Sequence, residues 1–279
     1  MITNKRTMGG KIFIALVSIF IVLLYFLPLY VMINVSFRDV TDLSSRLLLT
    51  VAPTLNNYIK ILSESGFWTA LVNTFLYAFF EALILIPTAS MGGYALARSR
   101  GRIVMLVRSM NILLMMIPGT ALLVGTYSFM VKLHLTNSII GIALLGAGGG
   151  MTGAMFFYTT FSMMIPSELD DAAAIDGAGV LKTYFQIILP QLQAVTITRL
   201  ISILDGCWNS YLMPLYLLNK SEKYTILLYV RKLFTGSTTV PDVPLAFAGC
   251  TLMIMPILII FFLLQKHIIG GQIDSAIKG

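Results

Sequence analysis

The stretch Pro166-Ser-Glu-Leu-Asp-Asp-Ala-Ala-Ala-Ile-Asp-Gly177, continuing to Phe185-Gln-Ile-Ile-Leu-Pro190, is a polar, alanine-rich segment set between two long apolar runs. It contains the parts of a short surface helix. Ser167 is placed as an N-cap, with Asp170 at the third helical position of a capping box. Ala172, Ala173 and Ala174 favour helix because they lose no side-chain entropy. Gly177 can take the left-handed conformation that closes such a helix. A second apolar turn, Leu181 to Leu189, is expected to stop near Pro190, because the residue before proline is disfavoured in the helical region. The segment therefore reads as two small helices joined at a glycine elbow.

The surroundings of the elbow are those of a membrane protein. Hydrophobic residues make up 57% of the 279, charged residues 11%, and mean hydropathy is +0.88, outside the range of ordinary soluble domains. Runs of about 20 or more apolar residues, each long enough to cross a bilayer, fall near 12–36, 67–96, 104–131, 138–164, 192–217 and 244–266. The expected fold is all-α, a single six-span bundle over residues 1–279 with a polar loop at 165–190. Lys5, Arg6 and Lys11 precede the first span, but its apolar run is too long for a signal peptide and no small-x-small site follows.

Orientation follows from positive charge in short loops. Lys5, Arg6 and Lys11 lie before the first span and Arg98, Arg100 and Arg102 between the second and third, while the next short loop holds only Lys132. Both termini are therefore expected in the cytoplasm, together with the 165–190 loop. Lys220, Lys223, Arg231 and Lys232 run against this pattern, but they sit in a long segment, and long segments obey the rule poorly.

The pattern Pro-x-Glu-Leu-x-acidic-Ala-Ala-x-Ile-Asp-Gly-Ala, followed by Phe-x-x-Ile-x-Leu-Pro, resembles the cytoplasmic "EAA" coupling loop of permease subunits in bacterial binding-protein-dependent ABC importers, and most closely the maltose-type sugar permeases. The resemblance extends to Pro28, Ser36-Phe37, Asn57-Tyr58, Asn73-Thr74, Gly93-Tyr-Ala-Leu-Ala-Arg98, Trp208-Asn209, Pro214-Leu215, Gln265-Lys266 and Lys278-Gly279. Asp171 stands where that family generally has Glu, and Ala194 where a second proline often follows.

The resemblance implies a type I ABC importer permease fold in the bacterial cytoplasmic membrane, moving a sugar or oligosaccharide inward by alternating access. It implies ATPase coupling through Glu168, Asp171, Ala172, Ala173, Asp176 and Gly177. It also implies a second homologous permease, an ATPase dimer at the cytoplasmic face and an extracellular solute-binding protein. No cofactor is expected on this chain, ATP and Mg belonging to the partner ATPase, and no catalytic or metal-ligating residues are expected.

Gly146-Ala-Gly-Gly-Gly-Met-Thr-Gly153 lacks the Gly-Lys-[Ser/Thr] ending of a phosphate loop, and its glycines four apart suit close helix packing. The net charge of +7 is scattered at membrane borders, which suits anionic lipid better than nucleic acid. Cys207 and Cys250 lie within spans and imply no disulfide framework.

Glu81, Arg108, Arg199 and Asp205 are ionisable residues in or near spans, where a central charge costs about 2.5–3.5 kcal/mol. The arginines are placed to snorkel toward the cytoplasmic ends. Glu81 and Asp205 are expected to face protein or water, either as a structural pair or on a pathway. On one helix, 205, 208, 209 and 212 share a face, so Asp205, Trp208 and Asn209 are the candidate translocation-path residues, offering a sugar a carboxylate, an indole and an amide. An ion-coupled secondary transporter is the alternative, and would carry midplane carboxylates with an inverted repeat. An intramembrane enzyme would use Glu81 or Asp205 as acid or base, yet no nucleophile–base spacing accompanies them. The stretch 37–66, with Leu47-Leu-Leu-Thr, is open to two readings, a partner contact or an interfacial cover.

Overall fold

The structure, a computed structural model, describes residues 8–235 and 242–277, with side chains through residue 263. Lys5, Arg6, Lys278 and Gly279 lie outside the described residues, as do the side chains of Gln265, Lys266 and His267.

The described chain is helical and without strands. The helices are α1 (Met8–Ser36), α2 (Asn56–Ser63), α3 (Ser65–Arg98), α4 (Arg102–Met115), α5 (Leu123–Lys132), α6 (Ile139–Met164), α7 (Glu168–Ile175), α8 (Val180–Thr183), α9 (Leu189–Gln191), α10 (Gln193–Trp208), α11 (Leu212–Leu217), α12 (Ile226–Thr235) and α13 (Val243–Ile277). Four are long and apolar enough to cross a membrane unbroken, and two bent pairs, Arg102–Met115 with Gly119–Lys132 and Val180–Gln191 with Gln193–Trp208, make up to six if each pair is one span.

One expected span holds a bend and another ends early as a helix. The run read as 104–131 is Arg102–Met115 followed by Gly119–Lys132, at 87° to each other. Pro118, which cannot donate to the preceding turn, stands in the break with an extended backbone (φ −64°, ψ 125°). The run read as 192–217 ends as a helix at Trp208. Asn209 folds its amide back onto the Asp205 carbonyl (3.0 Å) and carboxylate (2.9 Å), and α11 restarts with Pro214 in its first turn, where the missing N–H costs nothing.

The chain divides into two compact units. One holds Met1–Ser65 and Val230–Pro256, the other Gly66–Tyr229 and Ile257–Gly279. In the first, Arg38 is buried and its guanidinium donates to the Ser44 carbonyl and hydroxyl (both 2.8 Å), the Ser45 carbonyl (2.9 Å) and the Leu48 carbonyl. Asn57 donates to the Ser36 and Arg38 carbonyls at 2.9 and 2.8 Å. The backbone N–H and hydroxyl of Thr41 bind the Asp39 carboxylate and hold it below the usual carboxylate range.

In the second unit, small residues let α3 and α6 approach closely, as membrane helices do in the absence of a hydrophobic drive between them. Ala89, Ala143, Ala147 and Ala154 are buried, and a methyl at Gly93 would stand 2.6 Å from Tyr158 Cβ. The glycine-rich stretch divides between two faces. Gly146 abuts the Glu81 carboxylate and Gly150 the side chain of Leu85, whereas Gly148, Gly149 and Gly153 face open space. Asn73 donates to the Glu222 and Tyr224 carbonyls (2.9 and 3.0 Å), and the Thr74 hydroxyl accepts from the Ile226 N–H at 2.8 Å. Asn73-Thr74 thus fixes the start of the segment that follows α11.

Candidate functional site

The 165–190 segment forms the expected elbow by means that only partly match the expected ones. At its C-terminal end α7 closes in a Schellman motif: the Ala178 N–H reaches the Ala173 carbonyl at 2.9 Å and the Gly177 N–H the Ala174 carbonyl at 3.1 Å. Gly177 has φ +73°, the left-handed value that a side chain disfavours.

The N-terminal end differs from expectation. Ser167 is itself helical (φ −69°, ψ −20°) and its hydroxyl makes no cap bond. Asp170 does not form a capping box, because it is drawn to Arg98 in the last turn of α3. Arg98 Nε donates to Asp170 Oδ2 at 2.8 Å, the same guanidinium donates to the Ser162 carbonyl at 2.9 Å, and the Tyr94 hydroxyl donates to Asp170 Oδ1. A charge-assisted bond of about 1.5–3 kcal/mol outweighs a cap bond of about 1 kcal/mol. The acidic first turn still complements the helix dipole.

The second turn also departs from expectation at Pro190. Leu189, the residue before it, remains helical (φ −59°, ψ −40°). Residues Tyr184–Ile188 widen into a π-helical turn, which absorbs the missing proline N–H. The chain breaks two residues later at Leu192, and α10 leaves at 75° to the Val180–Gln191 segment.

The candidate coupling residues are brought together on one short helix. Glu168, Asp171 and Ala172 are exposed on a common face with Ile175, Asp176 is exposed at the C-cap, and Ala173 is buried against the bundle. Ile175, Val180 and Leu181 are apolar yet 87%, 75% and 62% exposed. The outward surface of the elbow is thus an apolar knob beside carboxylates. Beside it, a cavity of 740 Å³ is lined by Tyr94, Arg98, Ser167, Asp170, Asp171 and Leu181, among others.

Sequence reasoning used Arg98 only for orientation and gave Tyr94 and Ile175 no role at the site. The signal for the first two was present, because both belong to the Gly93-Tyr-Ala-Leu-Ala-Arg98 motif.

The candidate path residues do not share one exposed face. Asp205 and Asn209 are exposed and hydrogen-bonded to each other, but Trp208 is buried, its ring 5.5 Å from that of Phe75 in an edge contact. The helix ends at 208, which removes Leu212 from the face, and within it Trp208 falls at the edge of the side buried with Ile203 and Cys207. Glu81 and Asp205 do not pair. Glu81 is buried and accepts from the Cys207 thiol at 3.3 Å. Arg108 donates to the Leu96 and Ser99 carbonyls, covering the end of α3. Arg199 Nε is buried and lies within electrostatic reach of Glu81. Among the described residues no cluster suits a metal ion.

Comparison with known proteins agrees with this architecture. The chain is 31% identical over 281 residues to the arabinooligosaccharides transport system permease protein of Halalkalibacterium halodurans, covering 97% of this chain and 95% of that protein. It is 28% identical over 275 residues to the melibiose/raffinose/stachyose import permease protein of Bacillus subtilis, covering 98% and 99%. A chain from the crystal structure of a bacterial ABC transporter involved in the import of the acidic polysaccharide alginate superposes with a TM-score of 0.83 over 95% of this chain and 99% of that one, at 20% identity. Residues 86–271, which include the broken α4–α5 span, the Schellman-capped elbow and α10, match the binding-protein-dependent transport system inner membrane component. A multi-pass α-helical membrane chain with a helical elbow between α6 and α10 is the form this family takes here, and the chain belongs to it.

Proposed function

We propose that this permease moves a sugar or oligosaccharide into the cell, and that the 165–190 elbow couples it to a separate ATPase. The sugar class is supported by the relatives, which are named for oligosaccharide import. The observation that carries the coupling is the elbow itself: a helix closed by a Schellman motif and tied to α3 through Asp170, with its apolar and acidic face exposed. A helix that buries only Ala173 does not serve its own core. Its outward Glu168, Asp171, Ala172 and Asp176, with Gly177 setting the turn, present a small knob for a groove on another protein.

In this reading both termini and the elbow are cytoplasmic, and ATP with Mg is bound by the ATPase dimer. A second homologous permease completes the pathway and an extracellular solute-binding protein delivers the sugar. Closure of the ATPase dimer moves the elbow, and Arg98 passes that motion to the end of α3. Asp205 and Asn209 face the pathway. The coupling is a free energy linking two sites, not chemistry on this chain.

The test is purification followed by reconstitution. The tagged permease should bring down a second membrane subunit and an ATPase, and in proteoliposomes the complex should hydrolyse ATP faster when sugar and binding protein are added. A chain that purifies alone and transports without ATP would instead support the ion-coupled alternative.

A further inference from the structure

The loop after α1 has a geometry that the transport reading leaves unused. Lys11 stands near the start of α1. At 1.5 Å per residue, a hydrocarbon core of about 30 Å takes about 20 residues, so a helix entering at Lys11 leaves the core near Tyr30. Tyrosine rings favour that border.

The Tyr30 hydroxyl donates to the Leu47 carbonyl at 3.0 Å. One turn on, the Asn34 amide donates to the Arg46 and Leu48 carbonyls at 2.9 and 2.7 Å, and its own carbonyl accepts from the Thr50 N–H at 3.2 Å. The chain that leaves α1 at Ser36 therefore returns along the same helix to the depth of Tyr30. Arg38 takes the Ser44, Ser45 and Leu48 carbonyls from the inside.

The consequence is an irregular loop with its polar backbone turned inward and its side chains turned outward. Leu43 is 94% exposed, Leu47 60%, Leu48 62%, Leu49 74% and Val51 99%. Irregular backbone is tolerated beside hydrocarbon only when its N–H and C=O groups are satisfied within the protein, and the carbonyls of 44, 45, 46, 47 and 48 are satisfied in this way. On α1, to which Tyr30 and Asn34 tie the loop, Phe26, Leu27 and Leu29 are likewise exposed. Arg46 is exposed among the loop leucines.

We propose that residues 43–51 form an interfacial anchor that seats its leucines and Val51 in the leaflet at the C-terminal end of α1, with Arg46 on the lipid headgroups. The loop fixes the depth of that end of the bundle, and lipid, not a soluble protein, is its partner.

Nitroxide labels at Leu48→Cys and Val51→Cys, in an assembled, transport-competent complex lacking Cys207 and Cys250 and held in bilayers of mixed zwitterionic and anionic lipid, separate the outcomes. Collision with dissolved oxygen should exceed collision with a water-soluble nickel chelate, as at a Phe26→Cys control, and Ser221→Cys should show the reverse. Chelate access equal to that at Ser221 would overturn the anchor in favour of a water-facing loop. Exclusion of both probes, or loss of oxygen access only when binding protein is added, would overturn it in favour of a protein contact. The unmodified complex gives an independent reading: a lipid-soluble photoreagent should label the 43–51 peptide as it labels α1, and absence of label there would equally reject the proposal.

Discussion

Replacing Arg98 by alanine should uncouple the elbow from the bundle while leaving the protein inserted. The guanidinium makes two short bonds, to Asp170 at 2.8 Å and to the Ser162 carbonyl at 2.9 Å, and lies 5.8 Å from the centre of the Tyr94 ring. The Arg98 and Asp170 side chains are 20% and 21% exposed, so solvent screens the pair and the lower half of the range for charge-assisted bonds applies. That gives about 2 kcal/mol for the ion pair and about 1 kcal/mol for the carbonyl bond. A loss of about 3 kcal/mol is on the order of a 150-fold fall in the ratio of docked to undocked elbow, at tenfold per 1.4 kcal/mol.

Amide hydrogen exchange across 168–178 in the reconstituted complex reads that opening directly, and sugar-stimulated ATP hydrolysis reads its consequence. Asp170→Asn keeps a partner for Tyr94 and loses only charge, so its effect should be smaller, and the double variant should fall short of the sum. Arg98→Lys keeps the charge but not the fork that reaches two acceptors at once, and should fall between. Unchanged exchange protection together with full coupling in an assembled Arg98→Ala complex would refute the reasoning, because the elbow would then be held by something other than this contact.

Four further outcomes follow. Gly177→Val forces a β-branched residue to φ +73°, at about 1–2 kcal/mol, and should abolish coupled ATP hydrolysis in an inserted protein, while Gly177→Asn should retain most of it; Asp171→Lys should also uncouple and Asp171→Glu should not. Cysteines at Ser99 and Ser167, both exposed, should react with an impermeant thiol reagent only after the membrane is opened, and one at Ser221 should react in intact cells. Gly146→Ala drives a methyl into the Glu81 carboxylate and should lower the yield of assembled protein, whereas Gly148→Ala, which meets open space, should not. Asp205→Asn keeps the contact with Asn209 and should change transport rate or sugar preference at unchanged assembly and basal ATP hydrolysis; transport identical to the parent across several sugars would remove Asp205 from the pathway.

What could be read from the chain was what is local or averaged. Gly177 was legible because a left-handed closure depends on one residue and its immediate neighbours. The spans were legible because hydropathy over about 20 residues reports length of apolar chain. The same averaging hid the bends. Pro118-Gly119 is an ordinary turn signal, but it sits inside an unbroken apolar run, and a hydropathy window does not register an 87° change of direction. Asp170 was misread for the opposite reason: its cap role was a local inference, and its partner lies 72 positions away on another helix. Local chemistry offers Asp170 a weak bond, and tertiary structure offers a stronger one.

The reassignment of Trp208 makes the case for Asp205 firmer. On α10, Ile203, Cys207 and Trp208 are buried against the unit's own core, with Cys207 bonded to Glu81 of α3 and Trp208 set against Phe75. Those contacts fix the rotation of the helix. Ser202, Asp205, Gly206 and Asn209 must then point away from the core, and each is exposed. A soluble helix with one polar face turns it to water. In a membrane span the same stripe cannot be left against lipid, where its carboxylate alone would cost about 2.5–3.5 kcal/mol. The stripe therefore needs water, substrate or another subunit opposite it, which the proposed pathway with a second permease subunit would supply.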